Sequence, residues 1–320
     1  MKVLVTGSAG FLGSRVCELL LQGGHSVCGF DLLDEFEDLE ARRARLQSVE
    51  RQPRYLFVRG SVCEPGPVRE TLERFRPDAL VHLASQRDLF LAERDPAACL
   101  RLHAGGAAVV LEACRALDVP HVVLGSSAHV YGGTRRFPMR VEDACDRPLS
   151  ALGASFRAME LLAHAASLRS PVNLTVLRLF SVYGPWQARP RLLPVLAEAA
   201  ERRAPMPVRG DGTAGRDFLY VDDAALGILR ALDRPAPWRI LNLGSGESTT
   251  LGQVAEAVAW LAAVELHLDP RPLRPGEMPN TFAEIGATRE ALGFAPVVGL
   301  QDGLRRFWEW FRDRPDGFRL

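Results

Sequence analysis

Residues 2–13 read Lys-Val-Leu-Val-Thr-Gly-Ser-Ala-Gly-Phe-Leu-Gly: a short apolar run, then three glycines at intervals of three. Glycine lets the turn after a strand tighten and lets backbone approach a pyrophosphate, whose charge the N-terminus of the next helix meets. This opening constrains the rest of the chain. The first strand must lie inside a sheet, and the helix must pack back onto it. The remaining sequence complies. Strands are expected at Val3–Thr6, Ser26–Asp31, Tyr55–Arg59, Ala79–Ala84, His121–Ser127, Leu174–Leu179 and Ile240–Leu243. Helix-length amphipathic stretches such as Leu12–Gln22, Val68–Phe75, Ala97–Leu117 and Ser150–Leu168 lie between them. Strands spaced by helices predict an α/β fold of Rossmann type, a doubly wound parallel sheet. Near-continuous apolar strands fit a sheet covered on both faces.

After Gly184 the alternation loosens, and 185–219 is rich in Pro, Arg and Gly. The expected division is a Rossmann domain over 1–184 and 220–246, with a smaller substrate-binding lobe over 185–219 and 247–320. Leu304, Phe307, Trp308 and Phe311 recur at helical spacing, which predicts a core-packed helix over Leu300–Arg312.

The 320 residues balance 39 basic against 39 acidic side chains. No basic excess points to nucleic acid or to an anionic membrane. Apolar runs fall short of the roughly 20 residues of a membrane span. Six scattered cysteines show no metal-binding spacing, so no metal site is expected. With no signal peptide in view, the expected location is cytoplasmic.

Asp31 stands 18 residues after Gly13, at the expected end of the second strand. That is near the spacing of an acid that binds the adenosine ribose of a dinucleotide. No arginine follows it closely, which favours NAD over NADP. Gly7, Gly10, Phe11, Leu12, Gly13 and Asp31 are the expected cofactor contacts.

Several longer segments resemble the extended short-chain dehydrogenase/reductase family, and within it the NAD-dependent nucleotide-sugar epimerases and dehydratases. They are His82-Leu83-Ala84, Ser126-Ser127-Ala128-His129-Val130-Tyr131-Gly132 and Arg178-Leu179-Phe180-Ser181-Val182-Tyr183-Gly184-Pro185. Gly210-Asp211-Gly212 with Arg216-Asp217-Phe218-Leu219-Tyr220-Val221-Asp222-Asp223, Asn242-Leu243-Gly244-Ser245-Gly246 and Pro275-Gly276-Glu277 continue the pattern. Tyr183-Gly184-Pro185-Trp186 and the tail at 303–310 are most like UDP-glucuronate 4-epimerases. The resemblance implies that Leu83 and Ala84 pass the cofactor. It implies that Arg216 holds the diphosphate of a UDP- or dTDP-sugar, with Ser181, Arg189 and Arg274 as further contacts. A bidentate guanidinium suits a diphosphate. The resemblance also implies a homodimer packed through helices at about 97–117 and 150–168.

The same resemblance exposes a loss. The family carries Tyr-x-x-x-Lys on one helix face: the tyrosine moves a proton on the sugar hydroxyl, and the lysine lowers its pKa and binds the nicotinamide ribose. The matching segment here has Leu152 and Phe156, and Lys2 is the only lysine in the chain. Ser61 and His103 stand where the family usually has aspartate and asparagine. Ser127 keeps the family position that bonds the reacting hydroxyl. His129 occupies the slot where dehydratases carry a glutamate, and an imidazole can do that acid/base work. Strand periodicity puts Ser127 and His129 on one side. His103 is a second candidate, or a filler bonded to backbone. Two readings follow: an atypical NAD-dependent enzyme using His129 and Ser127, or an inactive homologue that binds NAD or nucleotide sugar as partner or sensor.

Overall fold

The computed structural model describes residues 1–33, 39–273, 275–315 and 318. Its centre is a seven-stranded parallel sheet. Six strands are β1 (Lys2–Thr6), β2 (Ser26–Asp31), β3 (Tyr55–Arg59), β4 (Ala79–His82), β5 (His121–Ser127) and β6 (Asn173–Leu179); the seventh is Trp238–Leu243. From that seventh strand the order runs β6, β5, β4, β1, β2, β3. The chain therefore winds outward from β1 in one direction and from β4 in the other. Ligands of such sheets bind beyond the strand ends at this switch point.

Alternation along the strands separates two cores. Val3, Val5, Val81, Val123 and Leu177 point to one face, where Val16 and Leu20 of α1 (Phe11–Gln22) and Ile228 of helix Val221–Asp233 cover them. Leu4, Leu80, Val122, Leu124 and Val176 point to the other, under Val68 and Leu72 of helix Pro65–Phe75 and Val110 of helix Gly106–Ala116. Residues of odd and even number thus go to opposite faces, as the pleat requires.

The helix expected over Ala97–Leu117 forms, but not uniformly. It runs as α-helix over Pro96–Leu100, widens to a π-turn over Arg101–Gly105 and resumes over Gly106–Ala116. Taken whole, Pro96–Ala116 is 21 residues long and apolar enough to cross a bilayer by length and composition. Run length misses this because Arg101, His103 and Glu112 interrupt the apolar residues. Here Ala107, Val110, Leu111 and Cys114 are buried against the protein.

A separate core holds the smaller lobe. Leu193 and Leu196 of helix Leu192–Glu201, Val254 and Val258 of helix Leu251–Ala262, and Leu304, Phe307 and Phe311 of helix Leu300–Arg312 pack on Tyr183, Tyr220 and Val221. Helix Gly286–Leu292 does not join this lobe: Leu292 and Phe294 enter the core beside the sheet.

Three buried histidines give the fold a pH dependence. Burial pushes His82 and His121 down to about 4 and His103 down to about 3. In the unfolded chain they protonate near 6.5. Between those values the unfolded state binds more protons, so stability falls as pH drops. Going from pH 7 to pH 6 is expected to cost about 2 kcal/mol for these three, and His129, lowered to about 4, adds to the loss. Denaturant midpoints at the two pH values check this, and equal midpoints contradict it.

Candidate functional site

The ends of β1, β2, β4, β5 and β6 open into one cleft of about 680 Å³. At its cofactor end the backbone is very tight. Gly7 has φ 72°, and a Cβ there would lie 2.6 Å from the Ala84 amide nitrogen. A Cβ on Gly13 would lie 2.0 Å from the Gly7 carbonyl oxygen, which accepts the Gly10 N–H at 3.0 Å. Only glycine fits these positions. No side chain caps α1. Gly10, Phe11, Leu12 and Gly13 line the cleft, so the first-turn amides suit an anion.

Asp31 sits beside this turn, 3% exposed. Its carboxylate accepts the Ala9 N–H at 2.9 Å and the Leu33 N–H at 3.0 Å. It also pairs with Arg42. The sequence places no arginine close after Asp31; the helix Leu39–Glu50 brings one back eleven residues later. Leu83 and Ala84 line the cleft where β4 ends, and Ser61 lines it beyond β3. The cradle fits a dinucleotide: pyrophosphate on the glycine turn, ribose at Asp31.

Ser127, His129 and Leu152 line the cleft together. Ser127 ends β5, and its Oγ accepts the His129 backbone N–H at 3.3 Å. The same Oγ is 3.1 Å from His129 Nδ1. An oxygen already accepting from the backbone still has its own hydrogen to give. A serine oxygen can also accept twice, so the tautomer decides: with the ring proton on Nε2, Nδ1 accepts the hydroxyl hydrogen. Burial, with Arg216, Arg87 and Arg191 nearby, pushes His129 down to about 4, so the ring is neutral at pH 7.

His103 lies elsewhere. It is 1% exposed, is not among the cleft-lining residues, and stacks on Phe156 with ring centroids 4.0 Å apart. Its Nε2 accepts the Gln86 backbone N–H at 3.2 Å. Its Nδ1 therefore carries the proton, which Ser155 Oγ accepts at 2.7 Å while donating to the Leu152 carbonyl at 2.9 Å. With both nitrogens committed to protein, His103 braces the helix Ala151–Ser167 against the π-turn. This geometry corrects its candidacy for proton transfer in favour of the backbone-bonded filler. Tyr131 is likewise spent inside: its hydroxyl donates to Asn242 Oδ1 at 2.5 Å.

The end of the cleft away from the glycine turn is crowded with guanidinium groups. Arg216 reaches the Gly215 and Pro279 carbonyls at 2.8 and 3.0 Å. It forms no salt bridge with Asp217 or Asp223, which are used elsewhere. Asp217 accepts from the amides of Ser245, Gly246 and Ala283, and Asp223 from those of Val297 and Val298. Ser181 and Arg189 also line the cleft, but the Arg189 guanidinium pairs with Glu198 at 2.7 Å. Arg274 lies outside the described residues. Sequence reading missed Arg87, Arg191, Arg209 and Arg271, all on the cleft wall. Arg87 had a signal: it follows His82-Leu83-Ala84 at a strand end beside the switch point.

Comparison with known proteins agrees with this geometry. The chain is 29% identical over 330 residues to a probable UDP-glucuronate 4-epimerase of Rhizobium meliloti, with 97% of each chain covered. It superposes on UDP-glucuronic acid 4-epimerase of Bacillus cereus, solved with UDP-glucuronic acid and NAD, with a TM-score of 0.92 at 27% identity, covering 98% of this chain and 99% of that one. The UDP-glucose 4-epimerase of Thermotoga maritima, solved with UDP-glucose, gives 0.90 at 27% identity, with the same coverage. Residues 3–244 match the model of the NAD dependent epimerase/dehydratase family. That span takes in the glycine turn, Asp31, the Ser127–His129 pair and Arg216, and the chain belongs to this family.

Proposed function

We propose that this chain is an atypical NAD-dependent nucleotide-sugar epimerase or dehydratase in which Ser127 and His129 carry the proton transfer. The observation that carries the reading is the 3.1 Å contact between Ser127 Oγ and His129 Nδ1 in the cleft wall, next to Leu152. NAD, when bound, supplies reversible hydride acceptance from the sugar carbon. Ser127 bonds the reacting hydroxyl and takes its proton while giving its own hydrogen to His129 Nδ1; the return step reverses both transfers. Arg216 binds the diphosphate. The uridine relatives point to a UDP-sugar, and UDP-glucuronate is the first to try.

Leu152 and Phe156 favour a competing reading. Both are fully buried in an apolar cluster with Tyr131, Met139, Met159 and Met278, and neither side chain can carry a proton. A homologue that only binds NAD and sugar would look the same there. NMR in D₂O with NAD and UDP-glucuronate, UDP-glucose or dTDP-glucose separates the two. A new sugar without ring deuterium fits epimerisation at the oxidised carbon. Deuterium in the ring fits chemistry through the neighbouring carbon. Bound sugar that stays unchanged and unlabelled rejects catalysis.

The reading includes a homodimer. Leu161, Leu162 and Leu168, at the helix Ala151–Ser167, are 54%, 44% and 74% exposed, and Leu100 of the neighbouring helix is 49% exposed. Such a patch invites a second copy. Light scattering is expected to give twice the chain mass, and a stable monomer at micromolar concentration removes this part.

A further inference from the structure

The loss of the family lysine leaves a question of charge. Phe156 fills that position, and a phenyl ring cannot face a ribose hydroxyl with a positive charge. Yet a cation stands there. The Arg87 guanidinium lies 5.0 Å from the centre of the Phe156 ring. Its Nε donates to Ser85 Oγ at 3.1 Å, and a terminal nitrogen donates to the Ser126 carbonyl at 3.3 Å. Those two partners follow β4 and lie on β5, so the guanidinium bridges two strand ends where the glycine turn also converges. Arg87 lines the cleft with Ala84, Ser85 and Ser127. Arg191 donates to the Arg87 carbonyl at 3.2 Å, which ties the loop from the sugar side.

We propose that Arg87 replaces the missing lysine: its guanidinium supplies the positive charge that holds the nicotinamide ribose, and Phe156 is the platform that carries it. A cation over an aromatic face is favourable, and an arginine stacks there better than a lysine. The exchange is thus a relocation. The charge enters from the loop after β4, and the helix Ala151–Ser167 contributes only a ring. Arg87 also bears on the neighbouring proton acceptor, since its charge is one of those that hold His129 neutral.

This inference rests on the NAD-binding part of the proposed function and not on the Ser127–His129 chemistry. Its test is therefore a binding measurement. Calorimetry of NAD with nucleotide-free full-length protein compares the unmodified chain with Arg87→Met, Arg87→Lys, and Arg87→Met combined with Phe156→Lys. Hydrogen bonds to a charged group predict that Arg87→Met weakens NAD binding by about 10- to 100-fold. Arg87→Lys keeps the charge but not the planar fork, so its loss is expected to be clearly smaller than that of Arg87→Met. Phe156→Lys in the Arg87→Met background returns a cation to the family position and is expected to recover most of the loss. NMR titration of His129 adds a readout that a packing role does not move: its pKa rises in Arg87→Met and not in Arg87→Lys.

NAD binding unaffected by Arg87→Met overturns the proposal. So does a loss in Arg87→Lys equal to that in Arg87→Met, which would make Arg87 a shape element. An unmodified chain that binds no NAD overturns it as well. Intact NAD binding with no sugar turnover removes the Ser127–His129 reading and leaves this one standing.

Discussion

His129→Ala is expected to lower turnover by about 10²–10⁴-fold, the usual cost of losing a placed acid/base, while leaving NAD and UDP binding unchanged. The fold should tolerate the change, because the side chain faces the cleft and its ring hydrogen bond is with Ser127. Ser127→Ala is expected to cost a similar factor. The sharper result is the double variant. Two residues that pass one proton act as a unit, so removing both should cost little more than removing either. Steady-state rates with saturating NAD and sugar check this. Full turnover in His129→Ala sinks the mechanism. Losses that multiply in the double variant would instead give the two side chains separate tasks.

Glu160→Ala is expected to destabilise the protein by about 3–5 kcal/mol, because it strands a buried guanidinium. Arg178 is 2% exposed and Glu160 1%. One carboxylate oxygen accepts from Ser126 Oγ at 2.7 Å and from Arg178 Nε at 2.9 Å; the other accepts from the terminal nitrogens of Arg178 at 2.9 Å and Arg157 at 3.1 Å. The fork ties helix Ala151–Ser167 to β5 and β6, and Arg178 also lies over the Tyr131 ring at 4.8 Å. Denaturant unfolding measures the loss. Replacing both Glu160 and Arg178 by methionine should recover part of it, since only the part-exposed Arg157 then loses its partner. A loss under about 1 kcal/mol in Glu160→Ala would mean that water reaches the guanidinium.

The sheet was readable from the sequence because buried parallel strands declare themselves. β2, β3 and β5 have the expected limits, and β1, β6 and the last strand extend only a little beyond theirs. Helix Leu300–Arg312 was equally clear from its apolar stripe. Helix Leu39–Glu50 was not, because a pattern of apolar residues cannot anticipate that Arg45 would be one of its buried members, 2% exposed. For the same reason Arg42 could not be placed on Asp31. The π-turn was hidden too, since inserting a residue into a helix leaves composition untouched. Around the cleft, the glycine turn and Asp31 converge as their spacing implied, and Ser127, His129 and Arg216 line it with them, while His103 does not. What the sequence did not reveal was the use of loop arginines, which depends on where side chains of several segments converge.

Three guanidinium groups bear on one imidazole, and this has a consequence for its chemistry. Burial, and after it the charges of Arg216, Arg87 and Arg191, make His129 a poor proton acceptor. A diphosphate settling among them would cancel part of that field and return basicity to the ring. The charge of the bound molecule would then help set the basicity of the group proposed to act on it.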